Sequence, residues 1–383
     1  VTVEVRVHVF VTIPLDEGGA TVTRSIRGFL TDLFGPEQPA WPGDYYFVRT
    51  WDRASGRDCL QVSLQSDMAT ADEARDRLQR AADAHDLRPT VAELPFKEIP
   101  SPLWNSGIGG DGFDTAAKNL YRAVAPLLSR SVSAIGDDTT KAYLLALNLM
   151  VANAGATVLE SEQRRLSSRG FDELLSLRML SYRSHYEGAK NALAKDPDSF
   201  ERRCAAYYDK LGTHVRESIR SWAASPVPAL DDEPARAWVD VVRQHFGVLR
   251  EECRAGRIAH FGPTLDDFHE HPDDHLPPSS FHAKKLSAEM SDLLHRSPDF
   301  LAYRIQASLL YSCLHTMGFS LAERFLFCYL LARANEEVSG RTTEELAQGL
   351  DAVAREIANR QPVTTGRRDQ AHHGSGEEIV KQI

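Results

Sequence analysis

An α+β fold is predicted for this 383-residue chain, with a small sheet-bearing module at the front and a larger, mostly helical region behind it. Three observations predict it. Strand-like alternation and helical spacing take turns over residues 1–98, helical periodicity dominates from residue 113 onward, and a Pro100-Ser101-Pro102 break separates the two.

Val1, Val3, Val5, Val7 and Val9 alternate with Thr2, Glu4, Arg6 and His8, the period-two pattern of a strand with one buried face. After Gly18-Gly19, the residues Val22, Ile26, Phe29, Leu30 and Leu33 fall at helical spacing and stop at Gly35-Pro36. Tyr45 to Trp51 reads as a strand, Arg53 to Arg57 as a polar turn, and Cys59 to Gln65 as the next strand. Thr70 and Glu73 form a capping box that opens a helix to about His85, and Thr90 to Phe96 is a last short strand. The order β-α-β-β-α-β predicts a ferredoxin-like module over residues 1–98.

Helical patterns follow at about 113–131, 139–157, 170–193, 198–223, 232–254, 298–317, 320–338 and 343–358. Residues 99–360 are therefore expected to form a mainly helical catalytic region, and 361–383, which lack apolar patterning, a flexible tail. Between two of the helices, Gly262 to Phe281 is rich in Pro, Asp and His, the mark of a functional or disordered loop.

Composition narrows the function. The longest apolar run, Phe325 to Ala332, falls far short of the ~20 residues that span a bilayer, and the alternating start resembles neither a secretory signal nor a transit peptide. Five scattered cysteines without CxxC spacing suit a reducing compartment, so a cytoplasmic protein is expected. A net charge of −10 gives no basic footprint for duplex nucleic acid.

The most informative segment is Leu301 to Ser320, which contains no Lys, Asp or Glu and a single Arg. It offers no charged face to water, yet Arg304, Ser308, Tyr311 and His315 fall at i, i+4, i+7 and i+11 and share one stripe. Such a stripe reads as a cavity wall, or more plainly as core polar groups hydrogen-bonded to their neighbours. A second group lies on 171–193, where Ser181, Tyr182 and His185 are close enough along a helix for the imidazole to reach either hydroxyl, and Arg178 precedes Tyr182 by one turn. If the two helices face each other, they form one polar pocket. In the strand at 45–51, alternation sets Arg49 between Phe47 and Trp51, either as a stem packed on aromatics with its head in solvent or as a substrate anchor.

Other features carry less. His260, His269, His271, His275 and His282 crowd one region, but prolines and the lack of nearby cysteine favour a polar lid over a zinc site, so no metal is expected. Gly107 to Gly112 lacks the GKS/T ending of a phosphate loop and reads as a turn.

With these residues in view, the chain resembles a known family. FVRTW at 47–51, a charged turn and then CLQVSLQS resemble the Arg-bearing hairpin of lantibiotic dehydratase elimination domains. LSYRSHYEG at 180–188 and LLYSCLHTMGFSLAERFLFCYLLARANEE at 309–337 are similar to the stand-alone thiopeptide pyridine synthases, and the likeness spans about residues 1–340. Where elimination domains carry YEPE, this chain has PLWNS before GIGG; its second strand lacks their arginines, and Tyr311 stands where their late-helix histidine is expected. These departures point toward cycloaddition and away from glutamate elimination.

The resemblance implies a thiopeptide biosynthesis enzyme catalysing a formal 4+2 aza-cycloaddition between two dehydroalanines of a thiazole-bearing peptide, with loss of water and leader peptide to give a pyridine macrocycle. Its partner is then the modified precursor peptide, leader plus dehydrated core, and the reaction needs no cofactor. Tyr311, Ser308, His315, Tyr182 and His185 become the proton-handling residues; Arg49, Trp51, Arg304, Ser181 and Arg178 become the substrate-binding ones. Two rival readings stand beside it: a glutamate-eliminating lyase, and a non-catalytic partner that binds a leader peptide along an open sheet edge.

Overall fold

The computed structural model describes residues 6–15, 19–41, 43–51, 58–67, 71–99, 107–136, 138–193, 196–225, 232–261 and 287–360. The front of the chain runs β1 (Arg6–Pro14), α1 (Gly19–Phe34), β2 (Tyr45–Trp51), β3 (Asp58–Asp67), α2 (Ala71–Ala84) and β4 (Thr90–Glu93). The four strands form one antiparallel sheet in the order β2-β3-β1-β4. Its register with β3 pairs Arg6 with Asp67 and Pro14 with Cys59 across the whole of β1. Val9, Val11 and Ile13 continue the alternation and are fully buried, while residues 1–5 and Thr70 lie outside the described residues. Phe34 of α1 stacks on Tyr45 and Phe47 at 4.3 and 5.2 Å between centroids, and Tyr46 on the opposite face meets Tyr121 at 6.2 Å. Both faces of β2 are therefore covered.

The rest is helical: α3 (Phe113–Ile135), α4 (Thr139–Glu160), the single turn α5 (Gln163–Leu166), α6 (Phe171–Leu193), α7 (Pro197–Ala224), α8 (Glu233–Arg254), α9 (Ala288–His295), α10 (Pro298–Thr316), α11 (Leu321–Ser339) and α12 (Thr343–Arg360). The fold is thus α+β and mostly helical. Local signals set the boundaries. Asp138, Asp196 and Asp232 each accept a backbone N–H as N-caps, with Pro197 and Pro234 in the first turns that follow. Ser320 and Glu323 make a reciprocal capping box at the start of α11, and Gly340 ends that helix at φ 65°. The short α5 and α9 escape periodicity because four and eight residues show too little of a helical repeat. Ile108–Gly109, within the glycine-rich stretch, is a two-residue strand (β5) paired with Ala259–His260 (β6), so that stretch is more than a turn. The Gly262–Phe281 segment and the tail after Arg360 lie outside the described residues.

α4 is long and apolar enough to cross a bilayer, and the apolar-run count overlooks it because Asn148 and Asn153 interrupt the run. In this fold 83% of its apolar window is buried among other helices. It is a core helix. Gly155 lets the Trp222 ring of α7 lie directly on its backbone: a Cβ there would stand 2.2 Å from Cε3 and 2.5 Å from Cζ3. Trp222 is 2% exposed and has little room to retreat.

α10 occupies the middle of the helical region and is held at both ends. Near its start, the buried Asp299 carboxylate accepts from Ser161 Oγ at 2.9 Å and Gln163 N at 3.1 Å, with Arg250 Nη1 at 3.6 Å. At its end, Thr316 Oγ1 accepts the Arg49 backbone N–H of the sheet's edge strand at 3.0 Å, which closes that point of the edge to another strand. Arg27 of α1 donates to the Met317 carbonyl at 2.9 Å and to the Gly136 carbonyl at 3.0 Å.

Gly155→Ala is expected to lower stability by about 1–3 kcal/mol through overpacking against Trp222, despite the better helix propensity of alanine. The urea midpoint measures it; an unchanged midpoint would mean that the indole shifts without strain.

Candidate active site

Along α10 most side chains from Leu301 to Thr316 are buried, and the half-accessible ones are Arg304, Ser308, Tyr311, Ser312 and His315. Four of these five form the stripe that helical spacing predicts. Each turn of the stripe meets a different partner.

Tyr311 Oη and His185 Nδ1 of α6 share a hydrogen bond of 2.7 Å, their rings edge-on at 5.4 Å, and the Cys328 thiol of α11 lies 3.7 Å from the same hydroxyl. Burial raises the Tyr311 pKa well above its ordinary value. The phenol therefore stays protonated at neutral pH and is able to donate a hydrogen bond. His185 is solvent-exposed, so the pair links a half-buried phenol to bulk water. The guanidinium of Arg324 stands 4.9 Å from the Tyr311 ring centroid.

One turn on, His315 Nε2 lies 3.7 Å from Asp58 Oδ1, an ion-pair distance too long for a direct hydrogen bond, while its Nδ1 is 3.4 Å from the Phe319 carbonyl. Asp58 in turn receives both Nε and Nη2 of Arg49 on Oδ2, at 2.9 and 2.5 Å. Burial alone would raise the Asp58 pKa, but the adjoining His315 and Arg49 outweigh it and hold the carboxyl below the usual carboxylate range. Arg49 is thus neither a solvent-facing head nor an open substrate anchor: its charge is engaged by Asp58 across the hairpin. Trp51 faces Asp58 in the strand register, and its side chain lies outside the described residues.

On the other candidates the structure corrects the expected contacts. Tyr182 is 1% exposed and donates its hydroxyl to the Met150 carbonyl of α4 at 2.7 Å, so it points into the core and away from His185. Ser181 meets the Tyr303 hydroxyl and donates to the Arg178 carbonyl at 3.1 Å. Arg178 is buried over the Tyr303 ring at 4.2 Å and donates to Gln163 Oε1 at 3.1 Å; burial lowers its pKa. Ser181 and Arg178 therefore form an interior clasp between α6 and α10, apart from the accessible stripe. Arg304 sits on the stripe with its pKa pushed down to about 10 by burial, and Ser308 lies half-buried between Arg304 and Tyr311.

Two members of the site give no sign of themselves in the sequence. Asp58 hides at the end of a charged turn, where only the strand register reveals its diagonal pairing with Arg49. Arg324 resembles any polar residue on a capped helix. Of the histidine group, His260 lies in β6 with its ring 5.0 Å from that of His295, and His269, His271, His275 and His282 lie outside the described residues. Among the described residues no three His, Cys, Asp or Glu side chains gather to hold a metal ion.

This architecture matches solved structures. The crystal structure of TsrL is 20% identical, with 92% of this chain and 99% of that chain covered at a TM-score of 0.64. A pyridine synthase, TbtD, from thiomuracin biosynthesis is 18% identical, with 87% of this chain and 99% of that chain covered at a TM-score of 0.52. The chain carries the pyridine synthase fold. No protein-family model and no curated protein matches it by sequence. A pyridine synthase fold at such low identity fixes the backbone frame, and the chemistry rests on the side chains set upon it.

The lowered Asp58 pKa has a signed consequence. A carboxyl whose folded pKa lies below its unfolded value, about 3.9, contributes stability that is full above that value and lost as pH falls through the folded one. Asp58→Asn is therefore expected to show a shallower fall in thermal midpoint below about pH 5 than the wild type; equal slopes would mean that the Arg49 and His315 contacts do not hold the charge. Tyr182→Phe is expected to lose about 0.5–1.5 kcal/mol of stability, the worth of one hydrogen bond, with the His185–Tyr311 contact intact.

Proposed function

We propose that this protein is an enzyme of thiopeptide biosynthesis, a pyridine synthase acting in the cytoplasm on a leader-bearing, dehydrated and thiazole-containing precursor peptide. The observation that carries this reading is the His185–Tyr311 pair on the accessible stripe of α10, set in a fold shared over 99% of a pyridine synthase chain. All five cysteines are buried as thiols, which suits a reducing compartment. The order β2-β3-β1-β4 with two crossover helices supports a ferredoxin-like reading of residues 1–98.

The formal 4+2 reaction joins an alkene of one dehydroalanine to the azadiene formed by another and its neighbouring amide. Two remote parts of a flexible peptide must meet, so orientation supplies much of the barrier reduction. The amide must also pass to its imidic-acid tautomer, with a proton placed on oxygen and one removed from nitrogen. Tyr311 is suited to the first of these transfers, because its hydroxyl donates to the amide oxygen and His185 Nδ1–H resupplies the phenol from solvent. His315, one helical turn away and facing Asp58, is suited to accept the nitrogen proton and return it to a departing group. Ser308, one turn back, extends the row of donors along the stripe. Loss of water and then of the leader as an amide each needs one such proton delivered to the leaving group.

The decisive experiment incubates purified protein with dehydrated, thiazole-bearing precursor and follows macrocycle and released leader by mass spectrometry. Tyr311→Phe is expected to slow ring formation by about 10²-fold, the scale of general acid–base catalysis, and Ser308→Ala to slow it less, both with unchanged thermal midpoints. Release of glutamate from glutamylated precursor without ring formation would favour the lyase; full turnover by Tyr311→Phe would remove the proton-relay role.

A further inference from the structure

Arg324 is a cation at the site with no counter-charge among the described residues. Its guanidinium lies 4.9 Å from the Tyr311 ring centroid and 4.9 Å from that of Phe325. Among the described residues it meets no carboxylate at ion-pair distance. The obvious partner, Glu323 beside it in sequence, is engaged elsewhere. One of its oxygens accepts from the Ser320 backbone and hydroxyl at 2.8 Å each, and the other accepts the Tyr143 hydroxyl at 2.8 Å. Further along the same helix Arg333 donates to Tyr329 and Glu337, and Arg216 of α7 donates to the same Glu337, so those cations are paired within the fold.

Aromatic contact restricts where the plane of a guanidinium can lie and leaves its N–H groups to meet a ligand edge-on. A half-buried cation with no internal anion is completed best by an external one, and the guanidinium fork matches a carboxylate in two parallel hydrogen bonds. We propose that Arg324 is a ligand-binding residue that receives a carboxylate of the bound peptide, a side-chain or C-terminal one, and so sets the peptide against Tyr311 and His185. This deepens the function proposed above and rests on it for the identity of the peptide, but the anion site itself can be tested without that function.

The test has two arms. In the first, binding of hippurate and of its neutral amide is followed by ligand-observed NMR on wild type, Arg324→Ala and Arg324→Lys. Hippurate is expected to bind the wild type at least tenfold more tightly than its amide. Arg324→Ala is expected to abolish that preference, and Arg324→Lys, a point charge without the planar fork, to keep part of it. Equal binding of acid and amide by the wild type, or an undiminished preference in Arg324→Ala, overturns the proposal. In the second arm, precursor peptides with acidic side chains amidated, or with an amidated C-terminus, are compared for KM and kcat. One of these changes is expected to raise KM about tenfold in the wild type with little effect on kcat, and to have no effect in Arg324→Ala, which identifies the source of the carboxylate. If neither moves KM, the proposal falls. Wild type that binds hippurate through Arg324 yet converts no precursor keeps the anion site and removes the pyridine synthase reading.

Discussion

Everything in this molecule turns on a helix that is buried on all sides but one. α10 has no Lys and no Glu, and its single Asp is Asp299 in the first turn, so nothing in its sequence pulls a broad face toward water. Sheet, α3, α4, α8 and α11 surround it, and what stays open is one line of side chains about a residue wide. The packing that excludes water from Leu309, Leu310 and Cys313 is the same packing that holds Tyr311 and His315 in place. A polar residue on such a line has few rotamers available, because its neighbours on the helix are fixed by the core.

The two ends of that helix are held by different physics. At the start the Asp299 carboxylate is desolvated and must be satisfied, which Ser161, the Gln163 backbone and Arg250 together accomplish. At the end the anchor is a backbone hydrogen bond from the sheet's edge strand to Thr316, reinforced by the Arg49–Asp58 ion pair below it. The sheet thereby becomes part of the site. Its outermost hairpin supplies Asp58 to His315, and α1 grips the turn after α10 through Arg27. Gly318 in that turn has φ +95°, and a Cβ there would stand 2.2 Å from Thr23 Cγ2, so the close approach of α1 requires glycine.

Much of this frame was legible in the sequence, and the reason is local. Long helices with acidic caps, such as those beginning after Asp138, Asp196 and Asp232, declare their ends through residues adjacent in the chain. The stripe of Arg304, Ser308, Tyr311 and His315 was legible for the same reason, since helical spacing is a local property. Partners were not. By spacing alone His185 could reach Ser181 or Tyr182, yet Ser181 meets Tyr303 and His185 meets Tyr311; both choices are set by how α6 lies against α10, which no local pattern encodes. Arg49 shows the same limit. Alternation offered it a solvent-facing head or a substrate anchor, but its contacts are decided by Asp58, nine residues along the chain on the neighbouring strand.

The stripe is also polarised along its length. Tyr311 sits beneath a cation, Arg324, while His315 one turn later faces an anion, Asp58, which Arg49 keeps ionised. A group held near Tyr311 is therefore favoured when it gains negative charge, whereas the His315 end of the stripe lies beside a fixed negative charge. The proposed chemistry asks for that division, since tautomerising an amide places charge of opposite sign on its oxygen and on the base that takes its proton. An arrangement with both partners of one sign would help one half of the transfer and oppose the other. Here the two halves are served by different elements of the fold, α11 on one side and the β2–β3 hairpin on the other. α10 carries both Tyr311 and His315 and fixes their separation at one helical turn, so the polarity along the stripe is a property of tertiary packing built upon a local repeat.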